Sequence, residues 1–117
     1  MRTREIHERN RKNFIEKTQK YFEFLVSDFG FEKPNHIIHD YSDKFEFENK
    51  KTNKKLIILN SYHPVDYGFE INLSDLKSGS EEMLHNVIKE NQDVEQNYLE
   101  SASELLKKGF GQRLRSI

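Results

Sequence analysis

The chain predicts an α+β domain: a long N-terminal helix, a four-stranded antiparallel meander sheet, and a C-terminal helix or helix pair packed on one sheet face. Two observations carry this expectation. Between residues 37 and 73 apolar and polar residues alternate in short runs separated by turn formers. Phe45 and Phe47 stand among Lys44, Glu46 and Glu48; Tyr67, Phe69, Ile71 and Leu73 stand among Gly68, Glu70 and Asn72. Successive strand side chains point to opposite faces, so this alternation makes one apolar face and one wet face. On either side of the ladder, apolar residues instead recur every three or four positions, the spacing of one helical face.

From about residue 3 to residue 29 the helical stripe is Phe14, Thr18, Tyr21 with Phe22, Leu25 and Phe29. Gly30 suits the end of this helix because glycine tolerates positive φ. Before Phe14 only Ile6 is apolar, so residues 1–12 read as a basic helix start that frays or projects into solvent. Pro34 pushes Lys33 out of helical geometry and makes residues 31–35 a connection. Residues 36–41 read as the first strand, Ser42-Asp43 as a turn pair, and residues 44–48 as the second strand. The third, residues 54–62, has four consecutive apolar residues from Leu56 to Leu59, the mark of a central strand covered on both sides at least in part. A loop with Pro64 leads to the fourth strand over residues 67–73, and the short links favour a meander.

After Gly79 a helix is expected over residues 80–108, capped by Ser80, with Glu81 and Glu82 in a first turn that favours acidic residues. Met83, Leu84, Val87 and Ile88 supply its apolar side. Residues 91–93 are a weak point that leaves one helix or two open. Val94, Tyr98, Leu99, Ala102, Leu105 and Leu106 make the clearest amphipathic stripe, and Lys107, Lys108 and Gly109 suit its end. Phe110, Leu114 and Ile117 remain to dock the tail.

The 117 residues are expected to form a single domain. A mean hydropathy of -0.92 would point to disorder if aromatics were scarce, but nine Phe and five Tyr argue for a packed core. Nineteen basic side chains against 20 acidic ones create no global field that would select nucleic acid or membrane. The absence of cysteine excludes disulfides, thiol catalysis and thiolate metal sites. No run is apolar enough to span a membrane or form a secretory leader, so a cytoplasmic location without a membrane partner is expected.

Candidate chemistry is sparse. His36 and His39 lie three apart, which on a strand sends them to opposite faces and prevents joint chelation. His63, beside Pro64 and Asp66, could act as an oriented base in a small hydrolase-like enzyme, yet no Ser sits in a nucleophile setting. The glycines match no phosphate-binding spacing. No catalytic residue, metal site or cofactor is therefore expected. Arg2, Arg4, Arg9, Arg11 and Lys12 offer a nucleic-acid adaptor as an alternative, without the aromatic interleaving such surfaces use. A protein-binding surface is the stronger expectation. Either Ile57 and Leu59 or Leu56 and Ile58 face away from the helices, leaving an apolar strip suited to a partner or to a homo-oligomer. The candidate contact residues are Tyr41, Leu56, Ile58, Tyr62 and His63, with Glu81, Glu82 and Glu95 as acidic contributors.

The segments YFEFLVSDFGFE, KFEFENKKTNKKLIILNSYHP, YGFEINLSD and YLESASELLKKGF cover most of the chain from Tyr21 onward. In them the chain resembles a loose class of small bacterial immunity proteins and related domains encoded beside polymorphic toxins. That resemblance implies a protein that binds and blocks a cognate toxin. For a basic nuclease toxin, it implies an acidic contact surface, for which residues 81–104 are the candidate.

Overall fold

The computed structural model describes the backbone of residues 3–39, 42–61, 68–93 and 95–115, and their side chains except at 3–7, 89 and 115. Helix α1 (Thr3–Tyr21) carries the expected stripe. Phe14, Thr18, Phe22 and Leu25 on it and just beyond it are fully buried. The helix is shorter than its apolar spacing suggested. At Phe22 and Glu23 the chain tightens, with Leu25 N–H bonding to Phe22 O and Val26 N–H to Glu23 O, and a separate turn α2 (Phe24–Ser27) follows. Gly30 then takes φ +82°, where a side chain would crowd its own backbone, and Phe31 N–H reaches back to Leu25 O at 2.9 Å.

The sheet has five strands, not four: β1 (Asn35–His39), β2 (Ser42–Asn49), β3 (Lys54–Ser61), β4 (Phe69–Asp75) and β5 (Glu81–Val87), antiparallel and in chain order. The register aligns Phe45 with Ile58 and Ile58 with Ile71, and aligns Phe47 with Leu56 and Leu56 with Leu73. All of these side chains are buried and belong to one cluster with Phe14, Phe22, Leu25, Leu99, Ala102 and Leu106. The helices therefore share one face of the sheet. Phe14 lies at its centre, its ring 6.1 Å from Phe45 and 6.3 Å from Phe69.

Two local expectations are corrected. Ser42 and Asp43 are not a turn but the first two residues of β2, paired with Ser61 and Asn60. Residues 81–87 are an edge strand, not a helix. Their pairing slips between Ile71 and Asn72: His85 sits opposite Ile71 and Met83 opposite Asn72, so Leu84 is the extra residue of a β-bulge. The bulge puts Leu84, His85 and Val87 toward the core and breaks the period of two, which is why this strand imitates a helical stripe. Met83 and Ile88, the other half of that stripe, are exposed.

A short 3-10 turn (Lys89–Asn91) and a connection lead to α3 (Tyr98–Gly109) and α4 (Gly111–Arg115). The Asp93 carboxylate accepts the Asn97 and Tyr98 N–H groups at 2.9 and 3.2 Å, satisfying donors that a helix start leaves unpaired. Tyr98, Leu99, Ala102 and Leu106 are buried, whereas Leu105 is exposed. Val94 and Ile117, expected to join these contacts, lie outside the described residues.

Candidate functional site

Because the helices cover one face, the other face of the sheet is defined by the register. Residues directly opposite in neighbouring strands share a face. One row runs Ile37, Lys44, Leu59, Glu70, Asn86; the next runs Asn35, Glu46, Ile57, Asn72, Met83; a third holds Glu48, Lys55, Ser74 and Glu81. Ile37, Ile57 and Leu59 are half-buried, and Met83 is 51% exposed. Glu46 lies between two lysines, 3.3 Å from Lys44 Nζ and 3.2 Å from Lys55 Nζ. Partial burial opposes ionisation of Glu46, but the lysine hydrogen bonds outweigh it and hold the carboxyl below its usual range. That pairing uses both lysines of these rows. Glu48, Glu70 and Glu81 have no ion-pair partner among the described residues, so the face combines an apolar centre with a negative rim.

The proposed contact residues divide sharply. Leu56 and Ile58 are fully buried against the helices and cannot meet a partner; the strip that faces outward is Ile57 and Leu59. Parity decides it, since Leu56 and Ile58 lie opposite Phe47 and Phe45, whose rings pack under α1. Glu81 joins the open face from β5. Glu82, one residue on, points to the opposite side, where both carboxylate oxygens accept from the Arg113 guanidinium and are held below the ordinary carboxylate range by it. Glu95 sits away from the open face, its carbonyl accepting from Asn13 Nδ2 and Lys17 Nζ of α1. Tyr41, Tyr62 and His63, with Asp66, lie outside the described residues.

The sequence reading missed a buried charge cluster at one end of the sheet. Asp43 is completely buried. Its Oδ2 accepts from Arg11 Nε at 2.8 Å, and its Oδ1 accepts from the His36 ring N–H at 2.9 Å. Arg11 also donates to the carbonyls of His39 and Ser42, so one guanidinium ties α1 to both strands of the first hairpin. The His36 ring stacks on Phe45, with centroids 4.4 Å apart and planes 3° apart. The signal was present: Asp43 has the same parity as Phe45 and Phe47, so once β2 starts at Ser42 its side chain faces inward. Of the basic N-terminal set, Arg11 is therefore committed to structure.

Two further polar pairs hold the connection before α3, one against the sheet and one against α1. Asn60 is buried and accepts from Gln92 Nε2 at 3.4 Å; Gln92 also donates to Val87 O at 3.0 Å. Gln96 accepts from Asn13 at 2.8 Å, and beside it burial, aided by the Asp93 charge, pushes the Tyr98 phenol far above its usual pKa. A phenol so held keeps its proton and serves as packing. Burial pushes His85 the other way, below its ordinary value. Among the described residues no three His, Asp or Glu side chains converge as a metal would require.

Two concavities stand out among the described residues. One, of about 440 Å³, lies between α1 and the connection before α3, lined by Arg9, Asn10, Asn13, Lys17 and Glu95. The other, of about 410 Å³, lies between α1, α2 and β2. No helix among the described residues is long and apolar enough to cross a membrane. No protein-family model, curated protein or solved structure matches the chain.

Proposed function

We propose that the chain is a non-enzymatic protein-binding module, an inhibitor of the immunity type, that engages a basic protein partner through the open face of its sheet. The observation that supports this reading is the segregation of the helices. They leave Ile57, Leu59 and Met83 facing outward inside a rim of Glu48, Glu70 and Glu81. An apolar centre with a charged rim is how protein interfaces are built, and the excess of carboxylates favours a partner of opposite charge.

The test is affinity purification of the tagged chain from its native host, beside an Ile57→Ser/Leu59→Ser variant. A stoichiometric protein should be retained by the unaltered chain and released as salt rises. Central contacts of this kind are worth about 2 kcal/mol or more each, so the double variant should weaken binding by more than about 100-fold. A variant that stays folded by circular dichroism yet keeps its partner would refute the assignment of this face.

A second reading, self-association, draws on the two sheet edges. β5 is guarded by a bulge and by Glu81 and Glu82, whereas β1 carries no Asp, Glu, Lys or Arg and exposes Ile38 to 62%. In a homo-oligomer, sedimentation of the purified chain would show assembly that Ile38→Lys abolishes.

A further inference from the structure

We propose that two copies of the chain join through β1, antiparallel about a two-fold axis at Ile37, so that their open faces become one surface. The proposal rests on the self-association reading of β1 and adds its symmetry, its register and its consequence for a partner. Main-chain direction alternates along a strand, and two contacts fix its phase here. Ser61 N–H bonds to Gly68 O, and Glu48 O accepts from Glu32 N–H, so Ser42, Lys44, Glu46 and Glu48 turn their main-chain groups toward β1. Opposite the first three lie His39, Ile37 and Asn35. The N–H and C=O groups of His36 and Ile38 therefore point outward from the sheet.

Pairing β1 with its own copy about Ile37 sets His36 of each chain opposite Ile38 of the other. That register satisfies every one of these outward groups and overlaps the whole strand, Asn35 to His39. The strand carries no Asp, Glu, Lys or Arg, so self-pairing brings no like charges together. On the helical side each Ile38, 62% exposed, comes to lie against the partner's His36, whose side chain is 23% exposed beside Phe45. On the open face, the row of Leu59 and Ile37 continues into the partner's Ile37 and the partner's Leu59. A two-fold contact consumes the same patch on both chains, and the β5 edge is guarded, so assembly closes at a dimer. A basic partner then meets a face of double width to which both chains contribute.

The chain has no cysteine, so single substitutions report the register by cross-linking. Across the axis two copies of residue 37 stand about 4.5 Å apart, Cα to Cα, within disulfide reach. Two copies of residue 38 are offset along the strands to about 8 Å, beyond it. Under mild oxidation Ile37→Cys should therefore give a disulfide-linked dimer, and Ile38→Cys, although the more exposed site, should stay largely reduced. In the unaltered chain, hydrogen exchange of the His36 and Ile38 amides should slow in proportion to the fraction paired as concentration rises. A chain that sediments as a monomer at every concentration overturns the self-association reading and this proposal with it. A dimer in which Ile38→Cys cross-links as readily as Ile37→Cys, or in which those two amides gain no protection, overturns the Ile37-centred pairing and leaves self-association standing.

Discussion

Replacing Asp43 by Asn isolates the charge in the buried cluster at the first hairpin. The carboxylate is 0% exposed, whereas the side chains of its partners Arg11 and His36 are 22% and 23% exposed. Breaking a fully buried pair costs about 3–5 kcal/mol and an exposed one about 0–1 kcal/mol. Here one side has no access to water and the other has some. Asparagine keeps the shape and one acceptor oxygen for Arg11 Nε, and its amide N–H₂ fits the His36 ring only in the tautomer whose Nε2 accepts, so the charge is lost and the ring must change tautomer. Arg11 retains the His39 and Ser42 carbonyls. The expected loss is therefore about 2–3 kcal/mol, between those limits.

Urea denaturation reads it directly: with a slope of about 1–3 kcal/mol per molar, the midpoint should fall by roughly 0.7–3 M with the slope unchanged. Arg11→Met with Asp43→Asn completes a double-mutant cycle, whose coupling should be about 1–2 kcal/mol. Glu104→Gln, which removes the exposed i,i+4 pair with Lys108, is the reference and should cost under about 0.5 kcal/mol. A cost for Asp43→Asn no larger than the reference, or additive single variants, would refute the argument that the cluster ties α1 to the hairpin.

Two further outcomes follow from the packing. Leu56→Ala empties a core site and should cost about 2–5 kcal/mol, while Ile57→Ala, one residue along the same strand, should cost about 1 kcal/mol or less; equal losses in chemical denaturation would invert the assignment of faces. Burial depresses the pKa of His85 in the folded state, so below its unfolded value of about 6.5 the unfolded chain binds more protons. Stability present above that pH is therefore lost as the pH falls toward the folded pKa. Thermal melts at a series of pH values should show a shallower acid slope in His85→Gln than in the unaltered chain, and identical slopes would contradict this placement of the ring.

The strands that read clearly are those whose burial follows an unbroken period of two. Phe45, Phe47, Leu56, Ile58, Phe69, Ile71 and Leu73 needed only parity to be placed, and Phe14, Thr18, Phe22 and Leu25 needed only helical spacing. What failed has local causes. The bulge at Leu84 adds a residue and so erases alternation in β5, while Ser80-Glu81-Glu82 has the composition of a helix cap. Ser42-Asp43 has the composition of a turn, because no local rule shows that an arginine 32 residues upstream neutralises the aspartate. On the open face, the sequence narrowed the strip to two alternatives. The choice between them depended on where Phe14 packs, which is a tertiary fact.

The meander and its cover mature on different schedules. Each strand pairs with its neighbour in the chain, so the sheet can close hairpin by hairpin with short loops and little entropic cost. The cover comes from opposite ends, with α1 beginning at Thr3 and α3 and α4 ending at Arg115. At about 5–20 residues per second, a ribosome finishes Val87 roughly 1–6 s before it finishes Arg115. Throughout that interval Phe69 has Phe14 of α1 above it but lacks Tyr98 of α3. The nascent protein thus passes through a sheet with half a roof, and its most aggregation-prone interval falls between the synthesis of β5 and that of α3.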